Sequence, residues 1–297
     1  MTQPQTQQLP AQPQEHPVAA TVTTAVALDA IRRGLPDPFL PLRWARLASV
    51  VRAERRVLGQ YRAAIADWTP AVARRVVQHG AIDPHAVRFA ARGFETAARP
   101  IVEIELREVF ETAFREASEA DWTPDADAYL KRYLDGAWNR LRATPDRVYS
   151  LITREVATAS RNGDDMDTLA AKIDGLFAEH DVPTWTNRGL TVARTEAISA
   201  HNAGNFASYV AMAKQDGGAW DKVWLATEDE RTRPTHVRAD LQRVPLHAPF
   251  TVGGFPGMFP GDPTLPAREV INCRCAPLAV RAGEKIDLSH RQFKEAA

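Results

Sequence analysis

The chain changes character at Asp216-Gly217-Gly218, and this change constrains its fold more than any other feature. Before it, apolar residues recur at spacings of three and four, the period of an amphipathic helix. After it, eight of the 21 prolines fall between residues 222 and 280, among clustered glycines and short apolar runs. Such punctuation is typical of turns and short strands. We therefore predict an α+β protein, with a mainly helical N-terminal body and a small, loop-rich α+β C-terminal module.

Composition excludes several classes of protein. The 297 residues are 44% hydrophobic and 25% charged, which excludes collagen-like, wholly disordered and coiled-coil-only chains. The net charge of zero argues against whole-surface attraction to nucleic acid or an anionic membrane. No apolar run approaches the roughly 18 residues of a membrane span, and the glutamine-rich start lacks the pattern of a signal peptide, so we expect no membrane partner. Two cysteines cannot form a disulfide framework, which indicates synthesis in a reducing cytosol.

Four regions are predicted along the chain. Residues 1–24 are a glutamine- and proline-rich tail with too little apolar surface to fold, so we expect them to be disordered. Residues 25–182 form the helical body, and residues 183–282 form the C-terminal module. Residues 283–297 are predicted to be a C-terminal tail.

Proline residues indicate where the helices of the body begin. Pro84 follows an aspartate that can cap a helix, and this helix should run to about Ser118 with a kink or division at Pro100. Two further helices are predicted near 124–142 and 145–160, each opening with a Thr-Pro pair.

A long helix is predicted over about 186–214, with small residues along one side. These residues alternate spacings of four and three: Ala193, Ala197, Ala200, Gly204, Ala207 and Ala211. Such a stripe lets another element approach closely. The same helix carries Arg194 and Glu196, which we interpret as partners that tie it to the β-containing region.

A candidate metal site comes from soft ligands in the loop-rich region. Zinc prefers thiolate and imidazole ligands in a tetrahedral array. Cys273, Cys275 and His236 supply three such ligands, and Asp229 or His247 could be the fourth. A metal would stabilise a small module with a thin core.

Two other interpretations of the same residues stay open. Cysteine is among the most buried residue types, so Cys273 and Cys275 could simply pack in the interior. Alternatively, Cys273 with His236 and Asp229 could imitate a nucleophile with its base and orienting group.

Positive charge is concentrated early in the chain. Residues 31–80 contain ten arginines against three acidic residues. Clustered positive charge can contact DNA phosphates or an acidic partner surface, although an amphipathic helix normally presents such a face to solvent. The arginines singled out are Arg43, Arg46, Arg52, Arg55 and Arg56.

Four motifs follow one another in the C-terminal module, with Asn202, Tyr209 and Trp224 between them. They are Ala193-Arg194-Thr195-Glu196, Asp229-x-Arg231-Thr232-Arg233-x-x-His236, Phe259-Pro260-Gly261-Asp262-Pro263 and Asn272-Cys273-Arg274-Cys275. Each is common alone, but the ordered set over about residues 185–280 resembles the phage Mu protein F-like family. These are the minor head, or head morphogenesis, proteins of tailed phages and prophages.

The resemblance implies a structural, low-copy component of a phage capsid with no established enzyme activity. It implies association with the portal protein and with major capsid or scaffold proteins, assembly in the host cytoplasm, and a place in the virion, where the chain could travel with the packaged DNA. The signature positions it assigns are Arg194, Glu196, Trp224, Asp229, Arg231, His236, Asp262, Asn272, Cys273 and Cys275.

One position departs from the family pattern. The family has a glycine turn shortly after its histidine, whereas here Asp240 is followed by Leu241-Gln242. This departure concerns the local turn only.

Two functions of other classes compete with the structural one. The first is a metal- or thiol-dependent hydrolase that uses Asp229, His236, Cys273 and Cys275. The second is a DNA-binding module that uses the arginines of residues 43–62.

Overall fold

A computed structural model of the chain describes residues 50–65, 68, 84–165, 168–169, 171–172, 183–227 and 230–286. The tail at 1–24, most of the tail at 283–297, and the side chains of Arg43, Arg46 and Asp229 lie outside those residues. The predicted α+β class is confirmed, because helices dominate and the small antiparallel sheets lie in the C-terminal part. Within the described ranges, no helix is long and apolar enough to cross a membrane.

The first described helix of the body is α1, residues 50–65. After it come α2 (Pro84–Pro100), a π-helical segment (Ile101–Leu106), α3 (Arg107–Ala117), α4 (Pro124–Leu141) and α5 (Thr144–Asn162). The long α6 (Pro183–Asp216) follows, in the region predicted to open the C-terminal module. The predicted division at Pro100 is confirmed. Proline lacks the N–H that an α-helix needs at this point, and the wider π turn follows directly after it.

Local sequence explains where α4 begins and where α5 ends, whereas α5 opens at Thr144-Pro145 with Ala143 as N-cap and no side-chain cap. The Thr123 hydroxyl accepts a hydrogen bond from the Ala126 N–H at 3.2 Å, with Pro124 in the first turn of α4. This is the predicted Thr-Pro start. At the other end of α5, Gly163 adopts a left-handed conformation with φ of 72°, which terminates the helix.

The core of the body forms where α3 and the π-helical segment lie against α6. One side of this part of the chain is apolar and buried throughout: Val102, Leu106, Val109, Phe110, Ala113, Phe114 and Ala117. It meets the small-residue stripe of α6, and a Cβ added to Gly204 would lie 2.9 Å from the Cβ of Ala113. The close approach predicted for this stripe is confirmed.

The C-terminal module contains two small antiparallel sheets. Its strands are β1 (Trp220–Leu225), β2 (Arg243–Pro245), β3 (Phe250–Val252), β4 (Phe255–Gly257) and β5 (Ala276–Arg281). The first sheet has the order β2-β1-β5, and the second is the β3-β4 hairpin. The hairpin turns through two glycines with positive φ, Gly253 and Gly254.

Two short helices connect these strands, α7 (Pro234–Ala239) and α8 (Ala267–Val270). The loops around them are fixed to α6 by side-chain hydrogen bonds. Asn202 donates to the carbonyl oxygens of Pro260 at 2.9 Å and Cys275 at 2.8 Å. The α6 helix therefore contributes small residues to the core of the body and polar residues to the C-terminal module.

Candidate metal centre

Three sulfur- and nitrogen-bearing side chains converge in the C-terminal module, and we call them the Cys–His cluster: His236, Cys273 and Cys275. Their ligand atoms all lie within 4.8 Å of one another. His236 Nδ1 is 3.3 Å from Cys275 Sγ and 3.7 Å from Cys273 Sγ. The three residues are only 2–3% exposed. The convergence predicted from the sequence is thus present in the fold.

Local structure explains how each member reaches this point. His236 lies in the first turn of α7, which Pro234 opens. The two cysteines are two positions apart, so in an extended chain their side chains project to the same side while Arg274 points elsewhere. The backbone reverses just before them, at Asn272 with φ of 57°, and the Asn272 N–H donates to the Thr195 hydroxyl of α6 at 2.9 Å.

A buried carboxylate lies on the far side of the histidine ring. Glu269 Oε2 is 3.2 Å from His236 Nε2, although no hydrogen bond joins the two atoms, and it accepts a hydrogen bond from the Thr235 hydroxyl at 2.7 Å. The Trp224 ring meets His236 edge-on, with centroids 5.5 Å apart. The imidazole is therefore held between the two sulfurs, a carboxylate and an aromatic ring.

The two thiols differ electrostatically. The pKa of Cys275 is lowered to about 5, chiefly because the Cys273 thiol donates a hydrogen bond to it and then because His236 contacts it. The pKa of Cys273 is raised well above its usual value, chiefly because its proton is held in that hydrogen bond and because the group is buried. The hydrogen bond between the two thiols therefore shifts the pKa of Cys275 down and that of Cys273 up.

Cys275, His236 and Glu269 follow one another in space as a sulfur, an imidazole and a carboxylate. A catalytic nucleophile, its base and an orienting group have the same order. A nucleophile must meet its substrate, however, and Cys275 is 3% exposed. Two surface cavities, of about 450 and 70 Å³, are lined by the helical body and α6, and no member of the Cys–His cluster lines either. The Cys–His cluster is therefore an interior feature of the C-terminal module.

Comparison with known proteins identifies the region that contains this cluster. Residues 150–278 match the family described as phage Mu protein F like protein. This match covers less than half of the chain.

A curated relative carries a different activity in its name. The chain is 33% identical over 122 residues to the NAD(+)–arginine ADP-ribosyltransferase EFV of Enterococcus faecalis (strain ATCC 700802 / V583). This match covers 37% of the chain and 25% of the relative, so the chain spans about a quarter of that protein's length. No solved structure matches the chain.

Other signature positions of the Mu F-like segment hold its loops in place. Asp262 is buried and accepts hydrogen bonds from the N–H of Met258 at 2.7 Å and from the N–H and hydroxyl of Thr264 at 2.8 and 2.7 Å. Trp224 is fully buried against His236. Arg231 is exposed at the surface.

The interpretation of Arg194 and Glu196 is wrong in one respect. Both tie α6 to the helical body of the chain, whereas we expected them to tie it to the β-containing region. Arg194 donates to Glu54 of α1 at 3.1 Å. Glu196 accepts two hydrogen bonds from Arg140 of α4, at 2.8 and 2.6 Å. The sequence shows the charges on α6 but gives no sign of which helix supplies their partners.

The fourth ligand expected from the sequence has no counterpart among the described residues. His247 is exposed and lies outside the cluster, and Asp229 is outside the described ranges. Sequence reasoning also missed Glu269. It is four residues before Cys273, but an isolated glutamate in a short polar run carries no signal that it is buried.

The arginine-rich region is described only from residue 50 onward. Arg52, Arg55 and Arg56 are exposed on α1. Arg56 is already engaged, because it forms ion pairs with Glu105 and Glu108. Part of the predicted basic surface is therefore used within the helical body.

Proposed function

We propose that this chain is a structural minor capsid protein of a tailed phage or prophage. It associates with the portal and with major capsid or scaffold proteins during prohead assembly in the host cytoplasm, and it then becomes part of the virion. The family match over residues 150–278 supports the head assignment. The proposal also includes that the chain travels with the packaged DNA.

The observation that carries the proposal is the burial of most of the described signature side chains, although Arg231 and Asn272 are exposed. Trp224, His236, Asp262, Cys273 and Cys275 are each at most 3% exposed. Residues that act on a substrate need a cleft, whereas residues that hold loops together are expected in the interior. A module braced from within can present its outer surface, and that of the helical body, to capsid partners.

Affinity purification from phage-producing cells tests this function. A tagged chain expressed in its host during induction should recover portal and major capsid subunits, identified by mass spectrometry, and it should be present in purified heads. The same purification from uninduced cells is the control. Recovery of neither subunit, with the chain absent from purified heads, would overturn the proposal.

The enzyme alternative has its own assay. The curated relative is named for ADP-ribosyl transfer from NAD+ to arginine, but the chain spans only a quarter of its length. We expect no transfer of labelled ADP-ribose to an arginine acceptor and no hydrolase turnover. Turnover abolished by Cys275→Ser would instead establish the thiol-dependent alternative.

The DNA-binding alternative rests on α1. Phosphate contacts make DNA affinity fall steeply with salt, and the slope reports the number of contacts. Replacing Arg52 and Arg55 with alanine should leave DNA affinity unchanged if the basic face is solvated. A weaker affinity with a shallower salt slope would support contact with packaged DNA.

A further inference from the structure

We propose that the Cys–His cluster is a zinc site, with Cys273 Sγ, Cys275 Sγ and His236 Nδ1 as its ligands. The zinc would join α7, through His236, to the segment between α8 and β5, through the two cysteines. This proposal does not depend on the head function, because it concerns only how the C-terminal module is held together.

The distances between the donor atoms are those that tetrahedral zinc requires. Zinc–sulfur bonds of about 2.3 Å and zinc–nitrogen bonds of about 2.0–2.1 Å place nitrogen and sulfur about 3.6 Å apart across a tetrahedral angle. The two measured separations from His236 Nδ1 are 3.3 and 3.7 Å, to Cys275 and Cys273. Both nitrogen–sulfur separations are therefore close to those around a tetrahedral zinc ion, and all three donors lie within 4.8 Å of one another.

The surroundings of His236 match those of a metal-binding histidine. Such a histidine almost always directs its second ring nitrogen to a carboxylate, a carbonyl or water, which sets the tautomer that leaves the first nitrogen free to bind. Here Nδ1 faces the two sulfurs, and Nε2 faces Glu269 at 3.2 Å. Glu269 is itself anchored by the hydroxyl of Thr235 at 2.7 Å. Simple packing of two cysteines would require neither the histidine nor the buried carboxylate.

The donor set selects the class of metal. Two thiolates and one imidazole are soft ligands, which favour zinc over calcium, magnesium or manganese. Among the described residues, no further histidine, cysteine, aspartate or glutamate completes the group. The proposal therefore commits to one nitrogen and two sulfur ligands from the described chain.

The test is metal analysis of the full chain, purified with a non-chelating reductant and exchanged into metal-free buffer. Elemental analysis should find one zinc ion per chain. After replacement of zinc by Co(II), the absorption spectrum should show thiolate-to-cobalt charge transfer and the intense visible bands of tetrahedral cobalt. This measurement uses the unmodified chain, so it does not depend on whether variants fold.

Variants then locate the site. His236→Ala and the double variant Cys273→Ser/Cys275→Ser should lose the metal, while His247→Ala, an exposed histidine outside the cluster, should keep it. Glu269→Gln retains all three ligands and should weaken zinc binding roughly 10–100-fold. Loss of binding in the double cysteine variant but full retention in His236→Ala would overturn the assignment of His236.

The proposal as a whole fails if the reduced full chain contains no zinc and gives no thiolate–cobalt band on titration. It also fails if both the histidine and the double cysteine variants keep one zinc per chain. Neither result bears on recovery of the chain with phage heads, which is measured in cells, so the two proposals stand or fall separately.

Discussion

Gly204 of α6 lies so close to Phe110 of α3 that a Cβ on Gly204 would overlap the carbonyl oxygen of Phe110. A backbone oxygen cannot rotate away as a side chain can. The two helices can therefore keep their present separation only while this position has no side chain.

Gly204→Ala should accordingly lower the free energy of unfolding by about 1–3 kcal/mol, the usual cost of overpacking. Gly59 of α1 is the matched control, because nothing lies within 4 Å of a Cβ at that position. Gly59→Ala should stabilise the chain by about 0.5–1 kcal/mol through helix propensity. Denaturant unfolding measures both, and equal effects of the two substitutions would contradict the close approach.

Glu196 is a buried carboxylate that holds two hydrogen bonds from Arg140. Glu196→Gln leaves the guanidinium without its counter-charge, and we expect a loss of about 3 kcal/mol in unfolding free energy. Asp135 pairs with Lys131 on the exposed surface of α4, so Asp135→Asn should cost no more than about 0.5 kcal/mol. If the Glu196 variant is as stable as the Asp135 variant, the ion pair does not hold α6 to α4.

Lys222 is a fully buried lysine of β1 whose ammonium group lies between the rings of Phe206 and Phe250, 4.6 and 4.9 Å from their centroids. Burial lowers the pKa of Lys222 to about 7, and the negative charge of Asp262 only partly offsets this by raising it. Between pH 7 and the usual pKa of about 10.5 the unfolded chain binds the proton that the folded chain has released. This lysine therefore makes stability rise with pH across that window, by up to about 1.4 kcal/mol per pH unit.

Lys222→Met removes this contribution. As pH rises from 7 to 10, the unfolding free energy of the wild type should increase relative to that of the variant. Below pH 6 the difference between the two should not depend on pH. Denaturant titrations at several pH values measure it. A difference that does not change over the whole range would show that Lys222 keeps its proton in the folded protein.

Leu241 adopts a left-handed backbone conformation with φ of 61°, which favours glycine. This is the turn after His236 at which the family pattern has glycine. Leu241→Gly should be more stable than Leu241→Ala by about 1 kcal/mol, the reverse of the usual order, because alanine keeps the strained backbone. Both variants lose the leucine packing beyond Cβ, so thermal unfolding of the pair reports mainly the backbone term. An alanine variant at least as stable as the glycine variant would contradict the strain.

Local patterns predicted much of this fold because their causes are local. The Thr-Pro start of α4, the division at Pro100 and the small-residue stripe that includes Gly204 each depend on neighbours along the chain, and each is present. The gathering of His236 with the two cysteines was also predicted, on the chemistry of the ligands.

Partners that meet only through tertiary folding were not predictable. Nothing near Glu196 indicates that Arg140, 56 residues earlier, supplies its counter-charge. Lys222 reads as a solvated residue at the start of an alternating strand, yet β1 carries it into the interior. Glu269 lies in a short polar run that gives no sign of burial. In each case a charged residue is buried because a distant element covers it.

The rate of thiol labelling tests whether the buried Cys–His cluster holds the C-terminal module together. Buried cysteines react only when the surrounding structure opens. We predict that Cys273 and Cys275 of the native, reduced full chain react with Ellman's reagent slowly, at the rate of unfolding, and that both react at once in denaturant. A rapid reaction of either cysteine in the native chain would reveal an accessible thiolate and would contradict the account.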